Sequence, residues 1–147
     1  MNPLRIRLAL ALILSAASFG ASARECAPQV RDGWVRMPPA AMPMMAGFGR
    51  IENACGNPVV IVGARSPAFG DVSLHETRVV EGVSRMRALP ELRIAPGQSA
   101  VLKPGGMHLM LMQPTTALQP NSKVAVEFTL KDGGKVLGEF VVKKAGE

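Results

Sequence analysis

Between Val30 and Lys143 the chain switches between apolar and polar residues in short stretches broken by Gly, Pro and Asn, and no 3.6-residue repeat lasts beyond a turn or two. That pattern suits strands, whose side chains point alternately to opposite faces, rather than amphipathic helices. It predicts strands over Val30–Arg36, Gly47–Glu52, Val59–Ala64, Gly70–Thr77, Val83–Arg87, Gln98–Lys103, His108–Met112, Lys123–Leu130 and Lys135–Lys143. The connections carry turn chemistry: Asn53–Pro58 holds Gly and Pro, Pro96-Gly97 and Pro104-Gly105-Gly106 follow, and Asp132-Gly133-Gly134 suits a hairpin. Short strands at this spacing predict an all-β, Greek-key sandwich or barrel.

Met37–Met45 breaks the pattern. Pro38, Pro39 and Pro43 have no amide hydrogen for a ladder, so a loop or an edge segment is expected there. Its methionines, Met37, Met42, Met44 and Met45, suit three roles: filler at the end of the core, a partner surface, or an auxiliary contact for a soft metal.

The front of the chain reads differently. Arg5 and Arg7 precede an apolar run from Leu8 to Phe19, and Ala21-Ser22-Ala23 supplies small residues at a cleavage point, the pattern of a secretory signal peptide over residues 1–23. The apolar run is shorter than the roughly 18 residues a membrane-spanning helix needs. The expected product is an exported, soluble domain of residues 24–147. Removing Arg5 and Arg7 from the 17 basic residues leaves 15 against 11 acidic ones, a net +4. These charges are scattered, tyrosine is absent, and Trp34 is the single tryptophan, so nothing interleaves stacking rings with basic groups as a nucleic-acid surface would. Cys26 and Cys55, an even pair in an oxidising compartment, are expected to form a disulfide. A lipid-modified Cys26 and a copper-thiolate role are the alternatives.

The two histidines stand in strand-like segments. In Gly70–Thr77, alternation puts Asp71, Ser73, His75 and Thr77 on one face, pointing outward, and Val72 and Leu74 on the other. In Met107–Met112 it puts His108, Met110 and Met112 on one face, opposite Leu109 and Leu111. Imidazole nitrogen with thioether sulfur is a soft-to-borderline set that suits cuprous copper. Magnesium and calcium want oxygen ligands, and zinc normally recruits thiolate or carboxylate. Residues i and i+2 of a strand lie about 6 to 7 Å apart, so His108 and Met110 can converge on one ion, with His75 and Met86 supplied by neighbouring strands.

The order His75, ten residues, Met86, twenty-one residues, His108, one residue, Met110 resembles the His-x10-Met-x21-His-x-Met signature of the periplasmic copper chaperone family called PCu(A)C. Leu74–Thr77, Arg85–Arg87, Leu102–Gly106, His108–Met112 and Gly33–Arg36 with its following Pro pair are similar to the family as well. The resemblance implies a cupredoxin-like, immunoglobulin-like β-sandwich or barrel. It also implies a Cu(I) ion held near the surface by His75, Met86, His108 and Met110; Met112, Met42, Met44 and Met45 lie outside the signature and are candidate auxiliaries on their thioether chemistry alone. The implied partners are copper acceptors, cytochrome c oxidase subunit II or a Sco-type protein, met by a monomer in the periplasm.

Three rival classes make different demands. An electron-transfer cupredoxin needs a Cys thiolate beside two His, and neither cysteine lies near His108. A metallohydrolase of the His-Glu-x-x-His type would need His at position 79, which is Val, so no enzyme is expected. A copper-independent binding module would use the Met-rich loop as an apolar patch.

Overall fold

The structure is a computed structural model that describes residues 26–147, so the expected signal peptide lies outside the described residues. Ten strands follow in order: β1 Gln29–Arg36, β2 Met44–Glu52, β3 Val59–Arg65, β4 Phe69–Val80, β5 Val83–Ala88, β6 Leu92–Ile94, β7 Ser99–Leu102, β8 Met107–Pro114, β9 Lys123–Leu130 and β10 Lys135–Lys143. No helix occurs among the described residues, and none is therefore long and apolar enough to cross a membrane. The strands pair in the order β5-β4-β8-β2-β1-β10-β9-β3-β6, and a further pairing of β3 with β4, Ala64 opposite Val72, closes the sheet into a barrel. Every pairing is antiparallel except that of β1 with β10. Parallel neighbours cannot be joined by a tight hairpin, and here the rest of the barrel is the connection.

Two expectations need correction. Of Met37–Met45, expected as a loop or an edge segment, Met44 and Met45 are not loop: they open β2 ahead of its expected start at Gly47 and pair with β8 alone, Met44 opposite Met112 and Met45 opposite Leu111, while the β1 ladder begins at Ala46. The last proline of the segment is Pro43, so every residue from Met44 on has an amide to give to the ladder, and only residues 37–43 stay irregular. The short β6 was not expected at all. Three residues between Pro90 and Pro96 give too little alternation to read, yet Leu92 and Ile94 are buried and the strand pairs β3.

The core follows the two-residue period. Val124, Val126, Phe128 and Leu130 of β9 and Val136, Phe140 and Val142 of β10 point inward and are buried. Phe128 and Phe140 meet with ring centroids 6.4 Å apart. Each such side chain contributes about 1.5–3 kcal/mol through removal from water.

β2 links two ends of the molecule. Beyond its last residue, the Asn53 side-chain amide donates to the carbonyls of Asn57 and Ile94, and Cys55 is joined to Cys26 by a disulfide. The Cys26 sulfur is therefore taken, which corrects the lipid-anchor and copper-thiolate alternatives. The strand's nine residues, at about 3.3 Å each, put this disulfide end roughly 25 Å from Met44 at the other.

Candidate functional site

The site lies on the outward face of the sheet formed by β1, β2, β8, β4 and β5. His75 of β4 is directly opposite His108 of β8, and their imidazole rings stack with centroids 6.1 Å apart. Met86 enters from β5, opposite Thr77, two residues from His75 along β4. Met110 sits one pleat along β8 from His108, flanked by Ser73 on one side and Ala46 on the other. Register alone thus gathers on one face four side chains that are far apart in sequence.

This face has its own small cover. Phe48 is buried but lies outside the interior cluster. Trp34 packs on it at 4.6 Å, His108 at 6.4 Å, and the Arg36 guanidinium lies 5.1 Å above its ring. Trp34 reaches that position through an irregularity in β1, where the register shifts between Arg31 and Trp34. At the shift Gly33 is required: a Cβ there would lie 2.6 Å from the Glu139 carbonyl oxygen. His108 is therefore only 9% exposed. The exposed member of the group is Met86, at 52%.

The buried ring has a fixed tautomer. His108 Nδ1 lies 3.0 Å from the Gly106 carbonyl oxygen, which only accepts, so Nδ1 carries the proton and Nε2 the lone pair in the neutral imidazole. The same carbonyl accepts from the Thr77 amide at 3.0 Å, which ties the Lys103–Gly106 turn to β4. Gly105, with φ of +77°, gives that turn a conformation other residues rarely adopt. His108 Nε2 faces Met86 Sδ at 3.2 Å. Two lone-pair-bearing atoms brought this close make a poor contact with each other and a good pair of donors to one soft ion.

His75 is held differently. Its Nε2 is 3.1 Å from Ser73 Oγ, while Nδ1 is buried and has no hydrogen-bond partner among the described residues. A buried polar atom without a partner costs about 1–3 kcal/mol, and a coordinated ion would relieve it. Burial, and then the neighbouring His108, lower the His75 pKa from its ordinary value, with Asp71 opposing. The ring therefore stays neutral, the form that ligates metals, to lower pH than a solvated histidine.

Met86, His108 and Met110 line one open pocket of about 520 Å³ together with Met37, Met42, Met44 and Met45. Two expected residues are absent from that lining: His75 stands on β4 next to His108, and Met112 lies opposite Met44 further along the sheet. At the outer rim, the Glu76 carboxylate binds Arg78 at 2.9 Å and Arg87 at 3.0 Å. These bonds lower its pKa, that of Arg78 first, and brace the β4–β5 hairpin that carries Met86. No three His, Cys, Asp or Glu side chains come together among the described residues, so any ion held here depends on thioethers.

Sequence reasoning missed the supports. Ser73 was legible, two residues before His75 on the same face. Gly106 read only as a turn residue, because its role is a carbonyl that every residue possesses. The Phe48 and Trp34 floor carried no local signal.

Comparison with known proteins supports the same architecture. The fold is similar to that of the copper-bound PCuAC domain of PmoF2, with a TM-score of 0.65 at 16% identity over 80% of this chain and 92% of that one. It is also similar to the solution structure of CuI-DR1885 from Deinococcus radiodurans, with a TM-score of 0.67 at 27% identity over 89% of this chain and 88% of that one. A "putative lipoprotein" of Leifsonia xyli subsp. xyli is 36% identical over 106 residues, 71% of this chain, and the match spans 63% of that relative's length. The all-β fold is thus that of the PCuAC, cupredoxin-like domains. The model of the LpqE-like family matches residues 29–142, from the first residue of β1 almost to the end of β10, and the chain belongs to that family.

Proposed function

We propose that this protein is an exported copper metallochaperone, not an enzyme, that takes one cuprous ion as cargo on His75, Met86, His108 and Met110 and hands it to an acceptor protein. The observation that carries this reading is the 3.2 Å approach of the unprotonated His108 Nε2 to Met86 Sδ, at the mouth of a pocket that Met110 also lines. The likeness to CuI-DR1885, at 27% identity, supports copper as the cargo.

The donor set explains both halves of the task. Neutral imidazole and thioether ligands stabilise the cuprous state without a thiolate, so a thiolate-bearing acceptor binds more strongly and draws the ion away. Transfer proceeds by exchange: an incoming sulfur or nitrogen forms a bond to copper as one bond to this protein breaks. The half-exposed Met86 on β5 is the ligand an acceptor meets first. The periplasm is the proposed compartment, and cytochrome c oxidase subunit II or a Sco-type protein the proposed recipient.

The test is an anaerobic titration of cuprous copper against a chromogenic chelator, with Met86→Leu/Met110→Leu alongside the unaltered protein. The expected result is one tightly held ion whose affinity falls about tenfold or more in the variant, a loss of at least about 1.4 kcal/mol. Equal binding by both proteins would place the ion elsewhere, and no binding by either would end the chaperone reading.

A further inference from the structure

Beyond the four residues just assigned, the pocket holds an unusual concentration of sulfur. Of the nine methionines in the sequence, six line it: Met37, Met42, Met44, Met45, Met86 and Met110. Core filling accounts for some of them, since Met37 and Met45 pack against the barrel interior. It does not account for Met42, which is 46% exposed on the proline-rich loop, nor for Met44, whose position opposite Met112 places it on the outward face with Met110 and away from the interior-facing Met45. Met44 and Met110 stand on paired strands at a diagonal, about 7–8 Å apart, within the reach of two long flexible side chains.

The rest of the lining fits one class of ligand. It contains no carboxylate, its one charged residue is Arg36, and its one imidazole is His108. A hard divalent cation would find no anionic oxygen, and an anion would find a cation already engaged over the Phe48 ring. Neutral thioethers leave a soft monovalent ion as the fitting occupant.

We infer that Met42 and Met44 form a second, weaker cuprous site that shares the Met110 thioether with the His108–Met86 group and serves as the loading station for it. Passage between the two is ligand exchange with copper remaining cuprous. Bonds to Met42 and Met44 break as bonds to His108 and Met86 form, Met110 stays attached throughout, and no proton or electron is transferred. The loading role rests on the copper reading above, while the thioether site itself does not.

The experiment is an anaerobic titration of the protein with cuprous copper, followed by NMR of methionine ε-methyl groups labelled with carbon-13, on the unaltered chain, Met42→Leu and Met42→Leu/Met44→Leu. The unaltered protein should take two ions, Met86 and Met110 signals moving with the first, and Met42 and Met44 signals moving with the second together with a further shift of Met110. The double variant should keep the first ion at unchanged affinity, hold the second about tenfold or more weakly, and accept copper from a chelator complex more slowly. Met42→Leu, an exposed and conservative change, should show the same trend in smaller degree.

The inference is overturned if one ion binds and the Met42 and Met44 signals stay still, or if the double variant keeps the second ion. Movement of Met42, Met44 and Met110 without Met86 would uphold the thioether site while ending the chaperone reading, and movement of Met42 and Met44 without Met110 would overturn the shared site. No movement at all would end both.

Discussion

The inside of the barrel and the outward face of β8 obey the same two-residue period but answer to different demands. Inside, Leu109 and Leu111 are fully buried among Val, Ile and Phe, where any apolar side chain of the right volume suffices. Outside, His108 and Met110 alternate with them, held by bonds and contacts that depend on atom type: a carbonyl for Nδ1, a sulfur facing Nε2, an aromatic floor beneath the ring. The inner face therefore answers to volume and the outer face to donor chemistry. Substitutions that hold one of these constant while changing the other should separate the two regions.

The largest effect belongs to the interior. Phe128→Ala should remove about 3–5 kcal/mol of unfolding free energy, since the side chain is fully buried against Phe140. Denaturant unfolding measures it, and a loss below about 1 kcal/mol would mean that the core collapses onto the cavity.

Next in size is the disulfide, which closes a sequence separation of 29 residues. Cys26→Ala/Cys55→Ala should cost about 3 kcal/mol through the greater freedom of the unfolded chain. Cuprous affinity of the folded protein should stay the same, because Cys55 lies beyond the last residue of β2, whereas His108 packs on Phe48 at the middle of that strand and Met110 lies opposite Ala46 near its start. A change in affinity without loss of fold would break the separation drawn here.

Met110→Leu sharpens the contrast directly. It nearly conserves volume, so unfolding free energy should move by less than about 1.5 kcal/mol. Copper affinity should nonetheless fall about tenfold or more, because a methylene donates nothing to a metal. Leu111→Met, one residue along and facing inward, should be equally mild for stability and leave affinity where it was.

The smallest effect is electrostatic and belongs to another stretch of outer surface. Glu127 on β9 accepts from Arg65 and from Lys135, each at 2.8 Å, and these bonds, Arg65 first, hold its carboxyl at about 2, below the ordinary 4.5. A folded-state pKa below the unfolded one stabilises above the unfolded value and is lost as pH falls through the folded one. The stability difference between the protein and Glu127→Gln should thus be constant near neutrality and shrink between pH 4.5 and 2. Denaturant midpoints across that range check it, and a difference independent of pH would show that the carboxylate is not held by its cations.

The barrel was legible wherever alternation ran for several residues. Lys123–Leu130 and Lys135–Lys143 were read with the limits they have in the structure. Legibility failed where too few residues alternate, at Leu92–Ile94, and where proline outweighed its neighbours, at Met44 and Met45. In the site, alternation put His108 and Met110 on one face, but only pairing between strands set the depth at which each lies. His75 was read as facing outward, and its Nδ1 proves buried beside the His108 ring.

By itself the sequence determined the all-β class, the inward and outward faces of its strands and the donor types available, because the pleat translates position directly into side. It also carried the cysteine pair. Tertiary structure alone decided that Phe48 and Trp34 would shelter His108, that the Gly106 carbonyl would fix its tautomer, and that the residues before Pro43 would bring their thioethers over the same face. Those outcomes depend on the register and closure of strands distant in the chain, which local alternation constrains to a face and not to a neighbour.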